Sequence, residues 1–186
     1  MIHPSADWLS KALDFPAFGI IPGTVDWQAP HETEDPITTE VDTLALLFAL
    51  VRLVRPLLAV ETGCGKGAGA RAIGLALASL GTGKLVTCDI NEAYCQKTTE
   101  ICANLPMTII RCEGKDLGPL PAADFVYIDS GLHSRGAEMA LVKPGAITVI
   151  HDTNSDDIFT EVKQHFTKYV RLPGIHGPTI AWKEPK

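Results

Sequence analysis

No apolar run in this 186-residue chain approaches the roughly 20 residues that a membrane-spanning helix needs. Basic residues are in the minority. The 16 Lys and Arg against 22 Asp and Glu leave a net charge of −6, which speaks against a broad electrostatic footprint for nucleic acid or an anionic membrane. No C-x-x-C pair occurs, and the cysteines (Cys64, Cys88, Cys95, Cys102 and Cys112) are odd in number. Neither a zinc framework nor a closed disulfide set is therefore expected, and reduced thiols in a cytoplasmic protein are. The opening residues MIHPSADWLSKALDFPAF lack a basic start and a long apolar stretch, so no secretory signal is expected. There is no internal repeat, low-complexity tract or charged tail.

What is present suits one globular domain. Apolar residues make up 46% and charged residues 20%, and the length supports a single core. Pro4, Pro16, Pro22 and Pro30 break up residues 1–36, read as a short helix near 6–13 followed by irregular chain that forms a lid segment. Residues 37–186 form the domain. Thr38 or Thr39 is placed to cap a helix over 40–54 that buries Leu44, Leu47, Phe48 and Val51 and stops at Pro56. From Leu57 on, strands alternate with helices. The strands are expected at 58–61, 84–89, 108–112, 125–129 and 146–151. The helices are expected at 68–80, 92–104, near 134–141 and at 156–169. Runs such as FVYID and ITVI suit strands covered on both faces. Residues 169–172 and 179–182, separated by PGIHGP, predict a β-hairpin.

The most telling stretch is LLAVETGCGKGAG, residues 57–69. An apolar strand ends in Glu61, glycines follow at Gly63, Gly65 and Gly67, and a helix begins. The next strand, KLVTCD, ends in Asp89. Glycines let the backbone turn sharply and let a ligand approach without meeting a Cβ. The helix start behind them favours anionic groups, and a carboxylate at Asp89 can accept both hydroxyls of a ribose. A Walker loop is excluded, because Gly67 follows Lys66 where Ser or Thr is required and no upstream glycine stands at the right spacing.

E-T-G-C-G-K-G, Asp89 in TCDI, FVYIDSGLHS and KPGAITVIHDT resemble the successive motifs of class I S-adenosylmethionine-dependent methyltransferases. The pattern is similar in particular to their small-molecule O-methyltransferase branch, with its macrocin-type, catechol-type and cephalosporin hydroxylase-like members. The resemblance spans about residues 41–182. It implies an α/β Rossmann-like doubly wound sheet, mostly parallel, with an antiparallel strand from the C-terminal hairpin. It also implies roles. Gly63, Cys64 and Gly65 would line the methionine part of S-adenosylmethionine and Glu61 would hold its amino group. Asp89 would bind the ribose and Ile90 would pack on the adenine. Gly114, Lys115 and Asp116 would lie near the adenine edge. Asp129 would face the sulfonium and the acceptor.

Adjacent strand ends would bring Asp129 and Asp152 together at the ligand-binding edge of the sheet. Two carboxylates there could share Mg²⁺ or another divalent cation. Otherwise Asp129 serves cofactor and acceptor while Asp152 caps a helix or pairs with a cation. Catechol-type relatives carry an asparagine directly after the second acid, whereas this chain has Thr153 there and Asn154 one place later. His133, in the loop after the fourth strand, is a candidate general base for an acceptor hydroxyl. His151 is read as ending a strand with a satisfied hydrogen bond, and Arg135 as solvated, with pairing to an acidic acceptor as the alternative. The expected activity is methyl transfer to a small hydroxylated molecule, with no nucleic-acid or membrane partner, and a homodimer is compatible with the chain. The alternatives are an NAD(P)-dependent or hydroxylase-like enzyme on the same fold, or a cofactor-binding module without turnover.

Overall fold

The computed structural model describes residues 39–174 and 176–185. The helix expected near 6–13 and the lid assigned to 1–36 lie outside the described residues. Helix α1 (Val41–Val54) leads into β1 (Leu58–Thr62), α2 (Ala68–Leu80), β2 (Lys84–Asp89), α3 (Glu92–Ile101) and β3 (Met107–Arg111). Single 3-10 turns at Gly114–Asp116 and Leu120–Ala122 carry the chain to β4 (Phe125–Ile128). Then come α4 (Arg135–Leu141), β5 (Ile147–Ile150), α5 (Asp156–His165), β6 (Lys168–Arg171) and β7 (Thr179–Trp182).

The sheet has seven strands in the order β3-β2-β1-β4-β5-β7-β6. β1 to β5 are parallel, and β7 runs antiparallel to both β5 and β6. This is the expected doubly wound architecture with its antiparallel hairpin. Burial follows position in the sheet: every residue of the inner strand β4 is buried, while the edge strand β6 is exposed throughout. Alternation along the strands feeds two cores. Ala59, Phe125, Tyr127 and Val149 pack with α1 and α2, and Val60, Val126, Ile128 and Ile150 pack with Met139 of α4 and Ile158 and Val162 of α5. α1 buries Leu44, Leu47, Phe48 and Val51, the set its helical spacing predicts.

Some ends differ from the sequence reading. No side chain caps α1. Thr39 Oγ1 instead lies 3.4 Å from both Tyr127 Oη and Asp129 Oδ2, and Thr43 Oγ1 donates back to Glu40 Oε2 at 3.3 Å. α5 stops at His165 rather than 169, because Phe166 turns extended (φ −119°, ψ 142°) and seats its ring in the core. α2 keeps its expected bounds. Gly67 (φ 88°) precedes it, and Gly81 (φ 68°) closes it by donating to the Leu77 and Ala78 carbonyls. The five cysteines are free. Among the described residues no helix is long and apolar enough to cross a membrane.

Strand order reverses between β1 and β4, since β2 lies on one side of β1 and β4 on the other. Loops leaving such a pair diverge and open a crevice at the carboxyl ends of the strands.

Candidate active site

A cavity of about 770 Å³ occupies that crevice. Its floor is the glycine turn after β1. Gly63 and Cys64 both donate their N–H to the Cys88 carbonyl at 2.9 Å, and Gly67 N–H donates to Cys64 O at 2.7 Å. Gly63 takes φ 83°, a conformation that side chains resist, and any Cβ there would run into the backbone carbonyl of Asp129. The turn is thus pressed against the tip of β4.

Two acids flank the turn. Glu61 is buried at the end of β1 and accepts a hydrogen bond from Thr87 Oγ1 at 2.5 Å. Burial pushes its carboxyl up to about 8 against that hydrogen bond, and the nearby charges of Asp129 and Asp89 push the same way. Glu61 needs a cation beside it to ionise readily. Asp89, at the end of β2, accepts from Gly65 N at Oδ2 (3.0 Å) and from Asn91 N at Oδ1 (2.8 Å). The carboxylate is fixed, yet each oxygen keeps a lone pair for a further donor.

Cys64, Gly65, Asp89 and the exposed Ile90 line the cavity. From the turn after β3, Glu113 and Gly114 line it. Lys115 and Asp116 stand exposed beside it, with Lys115 Nζ turned back to Glu113 Oε2 at 2.8 Å. Behind Gly114 the fully buried Glu138 accepts from Thr62 Oγ1 (2.7 Å) and Ser130 Oγ (2.8 Å) at one oxygen, tying the ends of β1 and β4 to α4.

The other end of the cavity is built around His151, buried at the tip of β5. Its Nδ1 lies 2.9 Å from Asp129 Oδ1 and its Nε2 lies 2.7 Å from Glu40 Oε2. A carboxylate at each ring nitrogen requires a proton on both. Burial opposes that charge, but Asp129, Asp152 and Glu40 raise His151 to about 12. His176, from the β6–β7 loop, stacks on the His151 ring at 5.5 Å between centroids, with its Nδ1 2.8 Å from Asp152 Oδ1. Asp152 takes φ 55°. Burial pushes its carboxyl up, but the His151 and Arg135 cations beside it pull harder the other way and hold it well below the usual carboxylate range. His133 is exposed, lines the cavity and rests its ring against Gly131.

Asp129 and Asp152 do converge, together with His151, so that one ligand atom of each lies within 4.8 Å of the others. Arg135 corrects the sequence reading. Instead of facing solvent it is 3% exposed. Its Nη2 lies 3.3 Å from Asp129 Oδ1 and 2.8 Å from Asp152 Oδ2, Nη1 donates to His151 O at 2.5 Å, and Nε donates to Ser130 O at 2.7 Å.

Sequence reasoning missed Glu40, Tyr127, Glu138 and His176 as parts of the site. Glu40 stands 111 residues from its partner His151, and no local pattern announces such a pairing. Glu138 did carry a signal: an acid among apolar residues on a short helix needs buried partners.

No protein-family profile matches the sequence, and no curated protein matches it by sequence. Solved structures do match the fold. The SAH-bound methyltransferase PaMTH1 of Podospora anserina superposes at a TM-score of 0.69 with 13% identity, over 98% of this chain and 90% of that one. A Klebsiella pneumoniae protein provisionally assigned as an O-methyltransferase gives 0.65 and 18%, over 99% and 93%. A methyltransferase from Geobacter sulfurreducens gives 0.65 and 16%, over 98% and 93%. The likeness is one of architecture: this chain has the fold of these methyltransferases.

Proposed function

We propose that this chain transfers a methyl group from S-adenosylmethionine to a hydroxyl of a small molecule, in the cytoplasm. The observation that carries the reading is the glycine turn held between Glu61 and Asp89 at the sheet's switch point. A Cβ is sterically barred at Gly63, and a cavity of about 770 Å³ is of the size that small-molecule and cofactor sites have.

The residues fit the cofactor's chemistry. Glu61 is a buried acid that ionises readily only beside a cation, as an amino-acid ammonium would be. Asp89 retains acceptor capacity for a pair of ribose hydroxyls. Ile90 offers an exposed apolar face for a base. When bound, the cofactor supplies a methyl group already activated on a sulfonium. The chain's own work is to position the acceptor, keep water out and receive one proton. Asp129 sets a fixed negative charge at the tip of β4. His133 lines the cavity and takes the acceptor's proton. Six acidic side chains lining the cavity, Glu40, Glu61, Asp89, Glu113, Asp129 and Asp152, disfavour a polyanionic acceptor such as nucleic acid.

Thermal shift separates the competing readings, since a ligand that binds the native state raises its melting point. S-adenosylhomocysteine is expected to stabilise the protein and NAD(P) is not. Stabilisation by NAD(P) alone would overturn the proposal in favour of an oxidoreductase. Binding of S-adenosylhomocysteine with no methylated product across a panel of hydroxylated molecules would favour a binding module.

A further inference from the structure

We propose that Arg135 is the resident cation of the acceptor end: its guanidinium takes the position between Asp129 and Asp152 that a divalent metal ion would need, and the site works without one. For its catalytic meaning this rests on the methyl-transfer reading above, but its structural argument stands on hydrogen bonds alone.

A carboxylate offers about four lone-pair positions. Those of Asp129 are all engaged. Oδ1 faces His151 Nδ1 at 2.9 Å and Arg135 Nη2 at 3.3 Å, and Oδ2 accepts from Tyr127 Oη at 2.9 Å and Thr39 Oγ1 at 3.4 Å. Asp152 holds one partner on each oxygen, Arg135 Nη2 on Oδ2 at 2.8 Å and His176 Nδ1 on Oδ1 at 2.8 Å. His151 faces a carboxylate at both ring nitrogens. Both nitrogens are thus already engaged by side chains of the protein, and neither is turned to an open position. The side chain after Asp152 does not reach in. Thr153 Oγ1 is buried against Gly177 O and lies 2.7 Å from Thr179 Oγ1.

Arg135 is also not a passing surface residue that an ion could displace at little cost. Two further hydrogen bonds, to the backbone carbonyls of Ser130 and His151, anchor the guanidinium. Removing it would leave two carboxylates facing each other in a half-buried site. A planar fork with several donors suits two acids and two carbonyls at once, which a point charge does not. The three residues that share a metal-like spacing are therefore organised around a fixed organic cation. The acceptor proton then leaves to a side chain such as His133 and not through an ion-activated hydroxyl.

Mn²⁺ is the probe. Electron paramagnetic resonance titration of the full chain, with and without S-adenosylhomocysteine, is expected to show only free Mn²⁺ for the wild type at millimolar ion. Arg135→Met keeps the stem that packs and removes the charge, and it is expected to gain a single Mn²⁺ site at least roughly tenfold tighter than any wild-type signal. Arg135→Ala is the second variant, and circular dichroism checks that each is folded. Stoichiometric Mn²⁺ on the wild type overturns the proposal. So does a folded Arg135→Met that binds no ion, because Arg135 would then not be what holds the position. Calorimetry with S-adenosylhomocysteine is read separately: its failure would sink the methyl-transfer reading and leave the ion result standing.

Discussion

His151 Nε2 lies 2.7 Å from Glu40 Oε2 and so ties the first residue before α1 to the tip of β5. Truncating Glu40 to Ala leaves a buried imidazolium short of one counter-charge, and the expected cost is about 3 kcal/mol, measured by urea denaturation. The pH dependence follows from the direction of each shift. His151 is raised from 6.5 to about 12, so its contribution is complete below pH 6.5 and is lost progressively as pH rises from 6.5 toward 12. Burial works against ionisation at Glu40, but His151 lowers it below its ordinary 4.5, so its contribution is present above pH 4.5 and disappears as acid protonates it. The wild type should therefore lose stability in acid as Glu40 protonates and again as pH rises above 6.5, where His151 and Glu61 hold protons that the unfolded chain releases, and Glu40→Ala should flatten the acid limb. An unchanged acid limb would count against the pairing.

Gly63→Ala is expected to destabilise the protein by about 3 kcal/mol. A side chain at φ 83° is strained, and its Cβ would overlap the Asp129 carbonyl and Ser130 Cα, forcing β1 and β4 apart at their tips. Differential scanning calorimetry would register this as a lowered Tm. A wild-type Tm would mean that the turn is not pressed on β4.

Asp89→Ala should weaken S-adenosylhomocysteine binding roughly 30-fold, as expected when hydrogen bonds to a charged acceptor worth about 2 kcal/mol are removed. It should also loosen the turn, since Gly65 N–H loses its acceptor. Titration calorimetry that returns an unchanged Kd would refute the ribose role.

Glu61 is pushed up to about 8 by burial, so it is protonated in the free protein at neutral pH. Holding a ligand ammonium requires the ionised form, so binding must release a proton. Affinity for S-adenosylhomocysteine should climb as pH rises toward 8, by at most about tenfold per unit, and then level off. Calorimetry in two buffers of different ionisation enthalpy counts the proton directly. Glu61→Gln should abolish the release, and a pH-independent wild-type affinity would contradict the role.

How far the chain announces its own structure depends on the range of the signal. α2 and the hairpin strand β7 keep their expected bounds because glycines or prolines flank them in sequence. The glycine-turn end of the cavity draws chiefly on one strand-turn-helix-strand unit, so Glu61, Gly63 and Asp89 stand out in the sequence as acids flanking a glycine turn. The end built around His151 could not be composed this way. Arg135 reads as a surface arginine on a short helix until β4 and β5 bring Asp129 and Asp152 to it from both sides. Glu40 and His176 arrive from the two extremes of the described chain. Long-range charge pairing leaves no periodicity to read, since any one of these residues is unremarkable in its own segment.

The hairpin that ends the chain runs against the direction of the other strands, and Thr179 pairs with Ile150. The loop before β7 is therefore delivered to the same rim as the tips of β1 to β5, although it belongs to no strand-helix repeat. His176 of that loop lines the cavity, so length changes before β7 would reshape the cavity from that side while leaving the glycine turn untouched. Under the methyl-transfer proposal the two ends of the cavity would thereby diverge independently: the glycine turn would hold the donor, and the hairpin edge would bear on the choice of recipient.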